Sequence, residues 1–335
     1  VLDSIKVQRK DVVCNMIINL QRTPSGKYIM RMDASLYKKS NCHRYIWFRL
    51  IRGLVEGEGQ KDFKIEYGTA FHKGLALWYS GKPLEQCLDA AFNHYNQDDI
   101  FKPDSDYRNT AHLILCFRQY ADYYKKEGET LTPLYRNGNP VLEISFAYPY
   151  YSTPLVDVVM CGTIDFRGVF GGSIPVIVDH KTTGSYYPET FLDSYCISPQ
   201  LMMYKMIWEL LFPAEDVQCM VNGIFLRKSN KNEFRRSLPI EFSPYTMERF
   251  KDGLYHTVQH IVEGFQRYLA TRIQGRSGQN IVEDFFIPNY TECDGKFGMC
   301  EFLPLCLAGG NTSDEDGIAE THYQQRVYDP SEWQK

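Results

Sequence analysis

A chain of 335 residues, 44% hydrophobic and 23% charged, is long enough for two average domains or one large domain with embellishments, built on a sizeable core. Its net charge of −4 excludes a wholly basic, histone-like surface and still leaves room for a local basic groove. No apolar run is long enough to span a membrane, and ten cysteines without an export signal lead us to expect reduced thiols in a cytosol, where clustered cysteines read as metal sites.

In chain order, residues 13–32 read as two short strands around the turn sequence "TPSGK". The stretch "ASLYKKSNCHRYIWFRLIRG" predicts a helix capped by Ser35 and stopped by Gly53. "YGTAFHKGLALWYSG" predicts a second, capped by Thr69, with Phe71, Leu75 and Trp78 on one face and Gly81 at its end. Helix is also expected at 84–97 and 107–127. From Val141 the pattern turns to strands: "VLEISFAYPY", then "VVMCGTIDFRGVF" and "IPVIVDHKT" around a glycine-rich turn. "SPQLMMYKMIWELLF" starts as a helix should, with Ser198 at the cap and Pro199 in the first turn. A hairpin with a basic tip, a long helix from Tyr245, a cysteine-bearing loop and a polar, poorly packed tail at 307–335 complete the reading. The order of elements predicts an α/β fold with a mixed central sheet flanked by helices. The expected parts are an N-terminal hairpin at 1–32, a main domain at 33–306 with a helical insertion at about 82–130, and the tail.

The strand pair around Gly171, Gly172 and Ser173 carries the chemistry. Pairing outward from that loop sets Phe170 opposite Ile174 and Asp165 opposite Asp179, with Lys181 on the same face two residues on. Pro175 is awkward in a strand and marks a possible bulge that would shift the register by one. Side chains directly opposite one another sit about 5 Å apart, where two carboxylates repel unless a cation lies between them. Lys181 is one such cation and a divalent ion is another; Mg²⁺ is commonly held by one or two carboxylates together with phosphate oxygens. The bland alternative is a weak surface salt bridge. Against it, "VIVDHKT" places Asp179 and Lys181 at the end of an apolar strand, where ionised groups are costly.

These residues resemble a family. "GTIDFRG…VIVDHKTT" is similar to the core of the PD-(D/E)XK nucleases, in particular the RecB-like branch with phage and CRISPR-associated exonuclease relatives. "GTAFHKGL" upstream and "SPQLMMY" downstream resemble that branch's histidine and Q-x-x-x-Y motifs, in the same order. The resemblance spans roughly residues 33–306. It implies a metal-dependent DNA exonuclease holding Mg²⁺ or Mn²⁺ through His72, Asp165, Asp179 and the carbonyl of His180. Lys181 would position or activate the attacking water, while Gln200 and Tyr204 would line the cleft and touch the nucleic-acid backbone. Glu143 opens a strand where the family often carries a glutamate, and its reading stays divided between a supporting group and an exposed strand residue. The rival readings are an inactive nuclease-fold scaffold and a structure-specific endonuclease; a recombination or replication protein is the expected partner class.

Two further groups stand apart from the hairpin. "CDGKFGMCEFLPLC" gathers Cys293, Cys300 and Cys306, which with the distant Cys42 make four thiols suited to an iron–sulfur cluster or to zinc. RecB-like nucleases resemble this arrangement with a [4Fe–4S] cluster, although the first late spacing is longer here than the common one. The remaining cysteines read as buried thiols. The tip "LRKSNKNEFRRS" offers Arg227, Lys228, Lys231, Arg235 and Arg236 as phosphate contacts, with Phe225 and Phe234 nearby for base stacking. Arg44 and Lys73, each beside a motif residue, are further nucleic-acid-binding candidates. The alternative for the tip is an ordinary solvated turn.

Overall fold

The computed structural model describes residues 18–56, 62–97, 105–276, 278–295, 298–308 and 312–329. The first strands, β1 (Gln21–Arg22) and β2 (Tyr28–Met32), lead into α1 (Ala34–Lys39), α2 (His43–Ile46) with a π-helical turn at Trp47–Ile51, and β3 (Leu54–Glu56). Next come α3 (Phe63–Tyr79), α4 (Leu84–Tyr95) and α5 (Thr110–Glu127). The strands β4 (Leu131–Pro133), β5 (Tyr135–Arg136), β6 (Asn139–Pro140), β7 (Leu142–Ser152), β8 (Val156–Phe170) and β9 (Ile174–Thr183) follow. After α6 (Pro188–Asp193) and α7 (Pro199–Leu211) the chain forms β10 (Gln218–Phe225) and β11 (Glu233–Arg236), then the long α8 (Pro244–Ile273).

The expected first helix is broken. Asp33, not Ser35, caps it, accepting from the Leu36 N–H at 2.7 Å, and Ser40 closes α1 by donating its hydroxyl to the Tyr37 carbonyl at 2.6 Å. The second starts earlier than expected. Asp62 accepts from Lys64 N–H at 2.8 Å, and Thr69 lies inside α3, its hydroxyl spent on the Ile65 carbonyl. Short polar side chains compete for local backbone groups in both places, and sequence spacing alone does not rank the competitors.

The central sheet is mixed. β7, β8 and β9 form an antiparallel meander, α7 crosses over, and β10 returns parallel to β9. β2 runs parallel to the first half of β8, which ties the N-terminal hairpin into the same sheet. Helices cover both faces, so the inner strands are apolar on both sides rather than alternating. Val176 and Val178 pack with Phe71, Leu75, Phe117 and Tyr120 from α3 and α5. Ile177, between them, joins Met203, Ile207, Leu254 and Phe265 from α7 and α8. The described part of the polar tail, 312–329, is packed, contrary to expectation. Its α11 (Thr312–His322), preceded by α9 (Gln279–Phe285) and α10 (Leu303–Leu307), sets Glu315 against the buried Arg52 at 2.8 Å. Tyr328 donates to Asp33 at 2.7 Å, because these buried charges and caps need partners that only the tail supplies. Among the described residues no helix is long and apolar enough to cross a membrane.

Candidate active site

The hairpin register is the one read from the turn outward. Phe170 pairs with Ile174, Val169 with Pro175 and Phe166 with Val178, so Pro175 introduces no bulge. Gly171 and Gly172 both adopt positive φ, which the three-residue loop requires. One step further Asp165 comes opposite Asp179, and there the Asp165 carboxylate accepts the His180 backbone N–H at 2.7 Å in place of a ladder bond. Both aspartates are buried, at 8% and 1% exposure.

α3 brings the imidazole. Gly68 lies so close to β9 that a Cβ there would meet Thr182 Oγ1 at 3.1 Å. One helical turn on, His72 Nδ1 stands 3.6 Å from Asp165 Oδ2, with a hydrogen bond to the His180 backbone. The helix, β9 and the loop before α3 enclose a cavity of about 900 Å³ lined by Lys64, Gly68, Thr69, His72, His180, Lys181 and Thr182. On the other flank, Glu143 of β7 puts a carboxylate oxygen within 4.8 Å of the His72 and Asp165 donor atoms.

Lys181 answers the aspartates directly, its ammonium 2.9 Å and 2.8 Å from the two Asp179 oxygens. Asp179 Oδ2 is otherwise buried with no aligned hydrogen-bond donor, so the ammonium reaches it as a charge. Gln200 donates its amide to Asp179 Oδ1 at 3.4 Å and to the Tyr204 hydroxyl at 2.9 Å. Tyr204 is turned inward, 7% exposed, with its ring edge-on to Phe146. Gly162 leaves room for both rings, since a Cβ would meet Phe146 at 2.7 Å. The expected contact of Tyr204 with a nucleic-acid backbone is therefore corrected: its hydroxyl fixes Gln200.

Burial governs the charge states. It pushes the Asp179 carboxyl up to about 6, with Lys181 opposing and Asp165 adding to the rise. Asp165 is raised by the same burial, against Lys181 and the His180 N–H. Desolvation of its carboxyl, and then Asp165, raise Glu143, a shift that solvent partly screens because the residue is exposed. Burial and then the Lys181 charge lower His72 to about 4, which keeps a nitrogen lone pair free near neutral pH. Burial opposes the Lys181 ammonium, yet Asp179 and Asp165 outweigh it and the net shift is upward. In this state Lys181 is a cation that orients and stabilises, not a base. The donors are carboxylates, one neutral imidazole and a backbone carbonyl, a hard set that fits Mg²⁺ or Mn²⁺.

The support beneath the site has no sequence motif. The buried Asn222 of β10 approaches His180 Nδ1 at 2.9 Å and donates to the Tyr120 hydroxyl at 2.9 Å, while the Tyr79 ring lies parallel to the imidazole. Burial drives the His180 ring's pKa well down, so the ring anchors the strand while the backbone of the same residue faces the site. A buried asparagine in "MVNGIF" is the one available signal, and it required knowing that β10 neighbours β9.

The other candidates divide. Lys73 is half-buried beside His72 and within the field of Glu143. Arg44 is corrected: it is buried, donating to the Phe286 carbonyl at 2.8 Å. Arg227 is held by Glu233 at 2.7 Å and by the Ser185 carbonyl, and Arg236 by Glu129 with its guanidinium 3.8 Å above the Tyr124 ring. Neither is open to phosphate. Phe225 and Phe234 are core residues, at 0% and 5% exposure, so base stacking on them is corrected as well. Lys228, Lys231 and Arg235 remain exposed.

Cys42, Cys293, Cys300 and Cys306 converge from the start of α2 and the late loop, each of the last three within the field of Cys42. Among the described residues no three of these sulfurs lie within 4.8 Å of one another. A tetrahedral zinc site needs sulfurs about 3.8 Å apart, from Zn–S bonds of about 2.3 Å. Of the other cysteines, Cys196 is exposed where a buried thiol was expected, and Cys14 lies outside the described residues.

A family model described as the PD-(D/E)XK nuclease superfamily matches residues 36–307. No curated protein matches the chain. A solved structure titled "Crystal structure of SSO0001" is similar at 13% identity over 66% of this chain and 86% of its own, with a TM-score of 0.23.

Proposed function

The chain belongs to the PD-(D/E)XK nuclease superfamily, and on that premise we propose that it is a metal-dependent DNA exonuclease acting in replication, recombination or repair. The observation that carries this reading is the buried pair Asp165 and Asp179, left with net negative charge beside Lys181 at the wall of an open cleft. The RecB-like order of the histidine, aspartate, D-x-K and Q-x-x-x-Y motifs supports the exonuclease mode.

His72, Asp165, Asp179 and the His180 carbonyl would hold Mg²⁺ or Mn²⁺. Such an ion, when bound, supplies charge neutralisation at the phosphate and lowers the pKa of water. The protein's own groups do the rest. The Lys181 ammonium is fixed by Asp179 and faces the cleft, where negative charge grows as a water oxygen bonds to phosphorus and the P–O ester bond breaks. Gln200, locked by Tyr204, holds Asp179 in place. The His180 N–H pins Asp165 so that its other oxygen is left for the ion.

The test is degradation of end-labelled single- and double-stranded DNA with Mg²⁺ or Mn²⁺, wild type beside Asp179→Ala and Lys181→Ala. Wild type should degrade and both variants fail; equal inertness of all three on DNA and RNA would return the inactive scaffold. Closed circular single-stranded DNA should stay whole, and its cutting would mark an endonuclease.

A second reading concerns the four gathered cysteines, which we propose hold a [4Fe–4S] cluster joining the start of α2 to the late loop. The convergence of one early and three late thiols, each of the three within the field of Cys42, supports this reading. Anaerobically purified protein should be brown and contain iron; colourless, iron-free protein ends this reading.

A further inference from the structure

Just beyond the cleft-lining end of β9 stand two neighbouring tyrosines, Tyr186 and Tyr187, 76% and 74% exposed. A single exposed ring is ordinary on a protein surface. Two in succession, on a backbone tied down at nearly every residue, call for another reason. The Ser185 N–H donates to Thr183 Oγ1 at 3.1 Å, and the Tyr187 N–H to Ser185 Oγ at 3.4 Å. From the end of β10 the Leu226 N–H donates to the Thr183 carbonyl at 2.7 Å, and the Arg227 guanidinium to the Ser185 carbonyl at 2.6 Å. The Tyr187 carbonyl accepts from the Phe191 N–H at 3.0 Å, which fixes the entry to α6. The loop is ordered before anything binds, so a ligand of the two rings meets a preorganised support.

The same arginine backs one of the rings. Its guanidinium carbon lies 5.2 Å from the Tyr186 ring centroid, and Glu233 holds it there at 2.7 Å. From Tyr186 a tract of rings and cations continues to the rim of the cleft. A Cβ on Gly184 would meet the Tyr107 hydroxyl at 3.5 Å, and Tyr107 stands within the field of Tyr186 and Arg227. The Arg108 guanidinium, held by the two Asp106 oxygens at 2.8 Å and 2.6 Å, lies 5.4 Å from the Tyr107 ring and 5.3 Å from the Phe63 ring. Phe63 sits between Asp62 and Lys64, which both line the cleft. Asp62 is occupied in capping α3, while Lys64 is exposed. Rings interleaved with cations beside a cleft suit an unpaired strand, in which every base has a π-face and every nucleotide a negative phosphate. A duplex keeps its base faces covered and offers the rings nothing to stack on.

We propose that Tyr186 and Tyr187 form a stacking platform for unpaired bases, so that a single DNA strand reaches the cleft across this loop. The inference rests on the nuclease reading above and adds to it the strandedness of the substrate and the residues that select it. The chain from Lys181 to Tyr186 spans at most about 18 Å. The stacked bases therefore lie within about five nucleotides of the scissile phosphate, at a rise of about 3.4 Å each.

Fluorescence anisotropy of a labelled single strand, with a chelator present, tests this against the same strand carrying abasic sites. Wild type should bind the base-bearing strand about tenfold more tightly than the abasic one, whose phosphates are unchanged. The double variant Tyr186→Ala/Tyr187→Ala should lose that preference and bind both strands as wild type binds the abasic one. Tyr186→Phe/Tyr187→Phe should keep it, since the rings remain. Both tyrosines are exposed, so neither change touches the core. The proposal is overturned if the alanine variant keeps the wild-type preference within twofold, or if wild type shows none. Degradation of the base-bearing strand by wild type with Mn²⁺ separates the two levels. If the strand is degraded while the tyrosines leave the preference unchanged, this inference alone fails; if wild type neither binds nor degrades it, the nuclease reading fails with it.

Discussion

Two hairpins concentrate charge in this protein, β8–β9 and β10–β11, and they resolve it in opposite ways. At the basic tip each buried cation is matched on the spot: Arg227 by Glu233, Arg236 by Glu129 and the Tyr124 ring. At the acidic pair burial is deeper, yet the one ammonium cannot balance the carboxylates around it. Charge locally matched stabilises a turn, whereas charge left over in a buried cleft demands a ligand. The density of charge in the sequence distinguishes neither case.

The largest way to break the contrast is at the acidic pair. Asp179→Ala and Lys181→Ala should each lower DNA hydrolysis by about a hundredfold to a thousandfold in initial rates, with circular dichroism unchanged. At the basic hairpin the matching change should strike stability instead. Arg236→Ala leaves Glu129 and the Tyr79 hydroxyl without their cation and should cost about 3–5 kcal/mol in urea unfolding. A DNA-binding salt dependence that shifts while stability holds would reverse that assignment.

The pH dependence sharpens the comparison further. Burial raises Asp179 from 3.8 to about 6, so the folded metal-free protein holds that proton more tightly than the unfolded chain. Its contribution to stability is full below about 4 and is lost as the pH rises toward 6, with a slope of at most about 1.4 kcal/mol per pH unit. Asp179→Asn should flatten this part of the profile in thermal melts taken with a chelator. A wild-type profile identical to the variant's would mean that Asp179 is already ionised. The smallest effect belongs to the exposed cations. Replacing Lys228, Lys231 and Arg235 with alanine should make log Kd against log salt shallower by about 2 for single strands, with cleavage rates at saturation nearly unchanged.

Much of the site was legible because it is local. A turn with two glycines fixes a register, the register sets Asp165 against Asp179, and a two-residue step puts Lys181 beside Asp179. His72, Gln200 and Tyr204 carried motif signals, and the structure brings His72 to Asp165 and Gln200 to Asp179. Glu143 was visible but undecided, since its direction depends on a backbone twist that alternation does not encode. The caps at Asp33 and Asp62 were misplaced by two and seven residues for want of a rule that ranks neighbouring acceptors. The tail was misjudged because its partners, Arg52 and Asp33, lie far upstream.

By itself the sequence determined the mixed α/β order, the turn-centred pairing of the two aspartates and the presence of a D-x-K strand, because each depends on contacts a few residues apart. Only the tertiary structure decided which arginines are consumed by internal partners, that Asn222 steadies His180, and that a glutamate from β7 stands at the same point as a histidine from α3. Those outcomes turn on which distant elements become neighbours when the sheet closes and buries its charges, and burial sets the energy of a charge through everything around it at once.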